Sequence, residues 1–264
     1  MRDVVIVPCY ERPEFAHICL EYLSRARGID DKEVWLCQDN HGGKEEMNIL
    51  THMFSVADYG HALFSDRFHH VIRDAHGTYG NSKNLIESLQ RAYDSGAERI
   101  FLVEDDIVVA PDIFSWHEAV LEHTYPFDSF VSCATALSKS ANFQINGPQV
   151  MDESYQDPNA YLRVIGPYSS HAAAFKRKQL GELLAYIADT PVEWKPGFEQ
   201  DAYVQKFLRI TNQASAWPYM PRALNRGWYS YHIDKATASE NDVDPIPEKW
   251  PVRLELVKNV QRFS

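Results

Sequence analysis

The chain lacks a long hydrophobic run, has little cysteine and is short of positive charge, and each absence removes a class of protein. Its first apolar stretch, Val4-Val5-Ile6-Val7-Pro8, is far too short for a signal-peptide core or a membrane span. That stretch reads as a first strand, so a cytoplasmic protein with no membrane span is expected. The four cysteines, Cys9, Cys19, Cys37 and Cys133, form neither a C-x-x-C pair nor a dense disulfide spacing, so reduced, buried thiols are expected. Lys and Arg total 26 against 37 Asp and Glu, for a formal net charge of -11. A broad nucleic-acid footprint needs a clustered basic surface, and this balance disfavours one. No internal repeat or low-complexity tract is present. What remains is an ordinary globular composition, 45% hydrophobic over 264 residues, enough to bury a large core as one extended domain or two intimate ones.

Strand-like and helix-like segments alternate through the first half. Val4 to Pro8 reads as a strand, and Pro13 opens a helix in which Phe15, Ile18, Cys19, Tyr22, Leu23 and Ala26 recur at helical spacing, with Gly28 as the stop. Glu33 to Cys37 is a second strand, followed by a loop and a helix around Lys44 to Val56. Phe68 to Arg73 is a third strand. Asn81 to Ser95 is a helix with Leu85, Ile86, Leu89, Ala92 and Tyr93 on one face, and Arg99 to Val103 is a fourth strand. This alternation predicts an α/β fold, a mixed and mainly parallel sheet flanked by helices. After about residue 125 the pattern is less regular. Short strands are expected at Phe130 to Cys133, Tyr161 to Ile165 and His171 to Phe175, helices near Lys176 to Ile187 and Asp201 to Arg209, then aromatic loops containing Trp217, Tyr219, Trp228, Tyr229 and Tyr231. A terminal helix is expected within Lys249 to Phe263. The division is 1–125 and 126–264, two halves of one domain.

Chemistry concentrates where the fourth strand ends. Glu104, Asp105 and Asp106 follow Ile100-Phe101-Leu102-Val103 directly, and open α/β sheets bind ligands just beyond the carboxyl ends of their strands. Three adjacent carboxylates repel one another unless a cation or hydrogen-bond donors neutralise them, and Mg2+ and Mn2+ prefer such oxygen ligands. An acidic turn before a helix that Pro111 helps to start is the alternative.

Several separated pieces agree in order with one family. Pro8-Cys9-Tyr10-Glu11-Arg12, Gln38-Asp39-Asn40-His41-Gly42 and Glu104-Asp105-Asp106-Ile107-Val108-Val109-Ala110-Pro111-Asp112 resemble the nucleotide-sugar glycosyltransferases of the GT-A fold, most closely the N-acetylglucosaminyltransferase I group. The resemblance covers roughly the first half of the chain. It implies a Rossmann-like GT-A fold with residues 1–125 binding the nucleotide sugar and 126–264 holding the acceptor and the catalytic groups. It also implies that Asp39 accepts a hydrogen bond from uracil, that Arg12 faces the nucleotide phosphates, that Asp106 is the direct ligand of Mn2+ or Mg2+, and that Glu104 and Asp105 contact ribose or donor sugar. A carboxylate suits the imide N–H of uracil, and a guanidinium fork suits phosphate.

Lys83, in Gly80-Asn81-Ser82-Lys83-Asn84 at the start of the third helix, is a further donor-side residue, with a helix cap and a solvated lysine as the alternative. Gly197-Phe198-Glu199-Gln200-Asp201 resembles the acidic acceptor-side motif of inverting members, with Gln200 separating acids that are adjacent in the family. Asp201 or Glu199 is then the base that takes the acceptor proton. His232 is a late metal ligand or a packed histidine. Trp194, Trp217 and Tyr219 form an acceptor platform or part of the core. The expected activity is metal-dependent, inverting transfer of a hexosyl or N-acetylhexosaminyl group from a UDP-sugar to a glycan or other hydroxyl acceptor, modified DNA being disfavoured by charge. A nucleotidyltransferase of similar fold would carry a glycine-rich basic loop after strand one, which Pro8 to Arg12 lacks. A non-catalytic carbohydrate-binding protein is the other alternative.

Overall fold

The computed structural model describes residues 2–9, 12–39, 46–72, 80–122, 129–135, 160–190, 200–218, 221–225 and 255–256. Strand β1 (Asp3–Cys9) is buried along its whole length and lies between β2 (Lys32–Gln38) and β4 (Arg99–Val103), parallel to both, with β3 (Phe68–Ile72) parallel on the far side of β2. The carboxyl ends of these four strands therefore share one edge. The other side of β4 carries β8 (Ala172–Lys176) antiparallel, then β6 (Val131–Cys133), β9 (Ala214–Pro218), β7 (Ala160–Ile165) and β11 (Glu255–Leu256), a mixed sheet of nine strands among the described residues. A separate antiparallel pair joins β5 (Ile107–Val109) to β10 (Ala223–Asn225).

The strands are apolar without alternation because both faces are covered. Val5, Val7, Val34, Leu36, Phe101 and Val103 point into one core with α1 (Pro13–Ser24), α2 (Glu46–Phe64) and α4 (Ile113–Glu122). Val4, Ile6, Trp35, Cys37, Ile100 and Leu102 point into the other with α3 (Gly80–Asp94), α5 (Arg177–Asp189) and α6 (Gln200–Ile210). All four cysteines are free and buried, as their spacing suggested.

Some expectations are corrected. Ile18 and Tyr22 are 37% and 38% exposed, whereas Ala16 and Leu20 are fully buried, so the buried stripe of α1 runs through Phe15, Ala16, Cys19, Leu20 and Leu23. The helix presents to the sheet a face rotated from the one its largest side chains suggested. Helix α2 continues to Phe64 rather than ending near Val56. Trp217 lies in a strand and in the core, not in an aromatic loop or an exposed platform, and its indole N–H donates to Ser215 Oγ at 2.7 Å. Glu255 and Leu256 pair with β7, where a terminal helix was expected. Trp194, Tyr219, Trp228, Tyr229 and Tyr231 lie outside the described residues.

At the amino ends of the parallel strands a buried ion network closes the opposite edge. Lys32, 1% exposed, reaches Glu118 at 3.0 Å and Asp3 at 3.7 Å, and Arg99 reaches Asp3 at 2.7 Å. The rings of Phe101 and Phe114 flank the Lys32 ammonium at 5.5 and 5.0 Å. Charges this deep persist only when paired.

Candidate functional site

The chain leaves β4 at Val103 and turns sharply. Glu104 N–H donates to His171 O at 3.1 Å, and Ile107 N–H donates to Glu104 O at 3.1 Å, so Asp105 and Asp106 form the tip of a tight turn before β5. Arg12 stands opposite. Its carbonyl accepts from Phe15 and Ala16 N–H and begins α1, with Pro13 in the first turn, where a missing N–H costs nothing. Its guanidinium reaches Asp106 Oδ2 at 2.9 Å and Asp105 Oδ1 at 2.5 Å, and its Cζ lies 5.4 Å from the centre of the Phe15 ring. One fork thus bridges two carboxylates.

Burial opposes charge in this cluster and the partners oppose burial. Burial raises the Asp105 pKa to about 7, with Asp106 and Glu104 adding to the rise and Arg12 resisting it. Burial works against the Arg12 charge, but Asp105 and Asp106 more than offset it and its pKa is raised. Asp106 Oδ1 is buried without a hydrogen-bond partner among the described residues, while Oδ2 is held by Arg12.

Asp39 follows β2 at the same edge, 4% exposed, and its N–H donates to Cys9 O at 3.0 Å. Beneath it Asn84 Nδ2 donates to Cys37 O at 2.9 Å and to Cys9 O at 3.4 Å, fastening the start of α3 to the ends of β1 and β2. Lys83 forms an ion pair with Glu87 of its own helix at 3.4 Å.

Asp201, in the first turn of α6, comes into the same region from the second half of the chain. It is hydrogen-bonded to Ser170 and lies within electrostatic reach of Glu104 and His171. Burial and then the Glu104 charge raise its pKa to about 7, against the opposing influence of His171 and Ser170. The Tyr168 hydroxyl, buried and without a hydrogen-bond partner among the described residues, also feels Asp201 and Glu104. Glu199 and His232 lie outside the described residues. Arg12, Glu104, Asp105, Asp106 and Asp201 are therefore gathered at one edge, with Asp39 beside them.

Sequence reasoning missed Ser82, Ser170, His171 and Tyr168, and treated Gln200 only as a spacer. The run Tyr168-Ser169-Ser170-His171 precedes β8, and because β8 is antiparallel to β4, its start lies against the end of β4. No local signal announces that direction. Behind the turn, Arg222, 1% exposed, pairs with Asp112 at 3.2 Å and stacks over Trp116 at 4.9 Å, fastening β10 to α4. Among the described residues no three His, Cys, Asp or Glu side chains converge on a common cation position. The donor chemistry nevertheless fits a small divalent ion, because Asp106 Oδ1 is a hard oxygen donor left open, and Mg2+ is commonly held by one or two carboxylates with substrate phosphates supplying the rest.

A mixed, mainly parallel sheet covered by helices on both faces defines an α/β, Rossmann-like fold. No protein-family model matches the sequence, and no curated protein sequence matches it. Among solved structures it is similar to S. aureus TarS, at 14% identity with a TM-score of 0.52, over 82% of this chain and 35% of that one. It is also similar to residues 1–349 of S. aureus TarS in complex with UDP, at 14% identity with a TM-score of 0.50, over 82% of this chain and 57% of that one. The chain thus spans well under two thirds of either. Among the described residues no helix is long and apolar enough to cross a membrane.

Proposed function

We propose that this protein is a metal-dependent, inverting glycosyltransferase that moves a hexosyl or N-acetylhexosaminyl group from a UDP-sugar to an acceptor hydroxyl. The observation that carries the reading is the Arg12–Asp105–Asp106 cluster at the carboxyl edge, approached by Asp201 from the other half of the chain. A fold shared with a protein solved in complex with UDP supports the choice of nucleotide. The Glu104-Asp105-Asp106 block supports kinship with the N-acetylglucosaminyltransferase I group. Residues 1–125 take the donor and residues 126–264 the acceptor, in the cytosol, to which the four reduced thiols are suited.

In this reading Asp39 accepts the uracil N–H, and Glu104 and Asp105 bind ribose or donor sugar, with Lys83 turning from Glu87 toward the donor. Among the described residues Asp105 and Asp106 share the guanidinium of Arg12, with Glu104 and Asp201 adding to the negative charge, so further positive charge would favour entry of an anionic diphosphate. Asp106 would hold Mn2+ or Mg2+ through its open Oδ1, with His232 as a second ligand. When bound there, the ion offsets charge on the leaving diphosphate. Arg12 keeps Asp105 and Asp106 oriented and adds a fixed positive charge beside them. Asp201 takes the acceptor proton as the hydroxyl attacks from the face opposite the nucleotide, and Glu199 is its alternative. A pKa near 7 suits such a group, since it is ionised enough to act and basic enough to accept the proton.

The test is a thermal-shift screen of UDP-sugars with Mn2+ or EDTA, followed by assay of UDP release. The expected result is a rise in melting temperature with one UDP-sugar that disappears in EDTA, and UDP release dependent on Asp201. No stabilisation by any UDP-sugar and no release would overturn the reading.

A further inference from the structure

Gln200 stands where the resembling motif has an acid next to the aspartate, and both ends of its amide are engaged. It is 8% exposed. Ser82 Oγ donates to its Oε1 at 2.5 Å, and its backbone N–H lies 3.3 Å from Ser82 Oγ. Its Nε2 donates to Ser170 Oγ at 3.2 Å and lies 3.4 Å from Asp201 Oδ1. Ser170 in turn is hydrogen-bonded to Asp201. Ser82 belongs to the first turns of α3, the helix that Asn84 fastens to the ends of β1 and β2. An unbroken series of hydrogen bonds therefore runs from the nucleotide side of the sheet, through Ser82 and Gln200, to Ser170 and Asp201.

We propose that Gln200 is the positioning residue of Asp201, tying its carboxylate through Ser82 to α3 and supplying a neutral amide where a second acid would repel it. The inference rests on the reading of Asp201 as the base. The amide is suited by its two ends, since the oxygen accepts from Ser82 while the nitrogen donates toward Ser170 and Asp201. A glutamate here would keep the acceptor, lose the donor and place a second negative charge beside Asp201, which already faces Glu104. The other groups facing Asp201 are His171 just before β8, Tyr168 ahead of it and Cys133 at the end of β6. Of these, His171 is the one that favours the carboxylate.

The test is carbon-13 NMR titration of labelled aspartate carboxyls in the full chain, with Asp201→Asn to assign the signal and thermal melting to confirm folding. Gln200→Glu is expected to raise the Asp201 midpoint by roughly one pH unit or more, the size of a like-charge effect at close range. Gln200→Met, which keeps the length and removes the donor, should raise it by less. Ser82→Ala should act in the same direction without altering any group that touches Asp201, and it carries the test if a Gln200 variant does not fold. In transfer assays the rising limb of kcat with pH should follow the same order while the KM for donor stays near wild type. Unmoved midpoints in folded variants would overturn the proposal, whatever the melting temperatures. If the midpoints move as expected but wild type releases no UDP from any UDP-sugar, the positioning role stands and the transferase reading fails. If transfer depends on Asp201 and the midpoints do not move, the reverse holds.

Discussion

At Asp201 stability and catalysis pull in opposite directions. Burial and Glu104 raise its pKa to about 7, while an unfolded aspartate titrates near 3.9. Between those values the folded chain binds more protons than the unfolded one, so stability from this group is full below the unfolded pKa and is lost as pH rises toward 7. Asp201→Asn keeps the shape and removes that loss. The variant should therefore melt higher than wild type by a margin larger at pH 8 than at pH 5, as differential scanning calorimetry can show. Transfer by the same variant should fall by ~10²–10⁴, the usual cost of losing a positioned base, with UDP affinity near normal. A margin that shrinks at high pH would contradict the raised pKa of this carboxyl. Asp106 is expected to behave differently. Asp106→Asn can still accept from Arg12 but offers a weaker oxygen to a cation, so calorimetry should show UDP binding that no longer tightens when Mn2+ replaces EDTA. A variant that retains the full Mn2+ effect would place the metal elsewhere.

Helix α1 carries Arg12 at its start, so its seating on the sheet sets the position of the guanidinium. The stripe Phe15, Ala16, Cys19, Leu20 and Leu23 is buried, and Leu20 is fully so. Leu20→Ala should destabilise the fold by about 2–5 kcal/mol through lost apolar burial and the cavity left behind. Tyr22→Ser, on the outward side, should change stability by no more than about 0.5 kcal/mol. Urea unfolding of the two variants checks both values, and a large loss at Tyr22 would mean that the outer face of α1 is covered. Helix α3 is the corresponding element on the other face, joined to β1 and β2 through Asn84 and to α6 through Ser82. Spacing alone identified the apolar face of α3, where Leu85, Ile86, Leu89 and Ala92 are buried, because a helix packed on one side repeats its buried positions every three to four residues. It misplaced that of α1, where Ile18 and Tyr22 mimic the repeat while the sheet takes a neighbouring stripe.

Across the whole molecule the acidic balance matters for partners. With a formal net charge of -11, long-range attraction to a polyanion is absent, and non-specific duplex binding is supplied almost wholly by that attraction. Unmodified duplex DNA should therefore not be retained in a mobility-shift assay at about 150 mM salt; micromolar binding would show a basic groove that the net charge conceals. By itself the sequence determined the four βα units, the reduced thiols and the place of Glu104, Asp105 and Asp106 at a strand end, since each is written in local periodicity or adjacency. Only the tertiary structure decided that β8 inserts antiparallel between β4 and β6, so that Ser170 and His171 meet the end of β4 and Asp201 meets Glu104. It likewise decided that β5 pairs with β10 and that Trp217 is core. The physical reason is that periodicity reports whether a strand is covered, while its neighbour and direction follow from long-range hydrogen-bond pairing and packing that no short stretch of residues encodes.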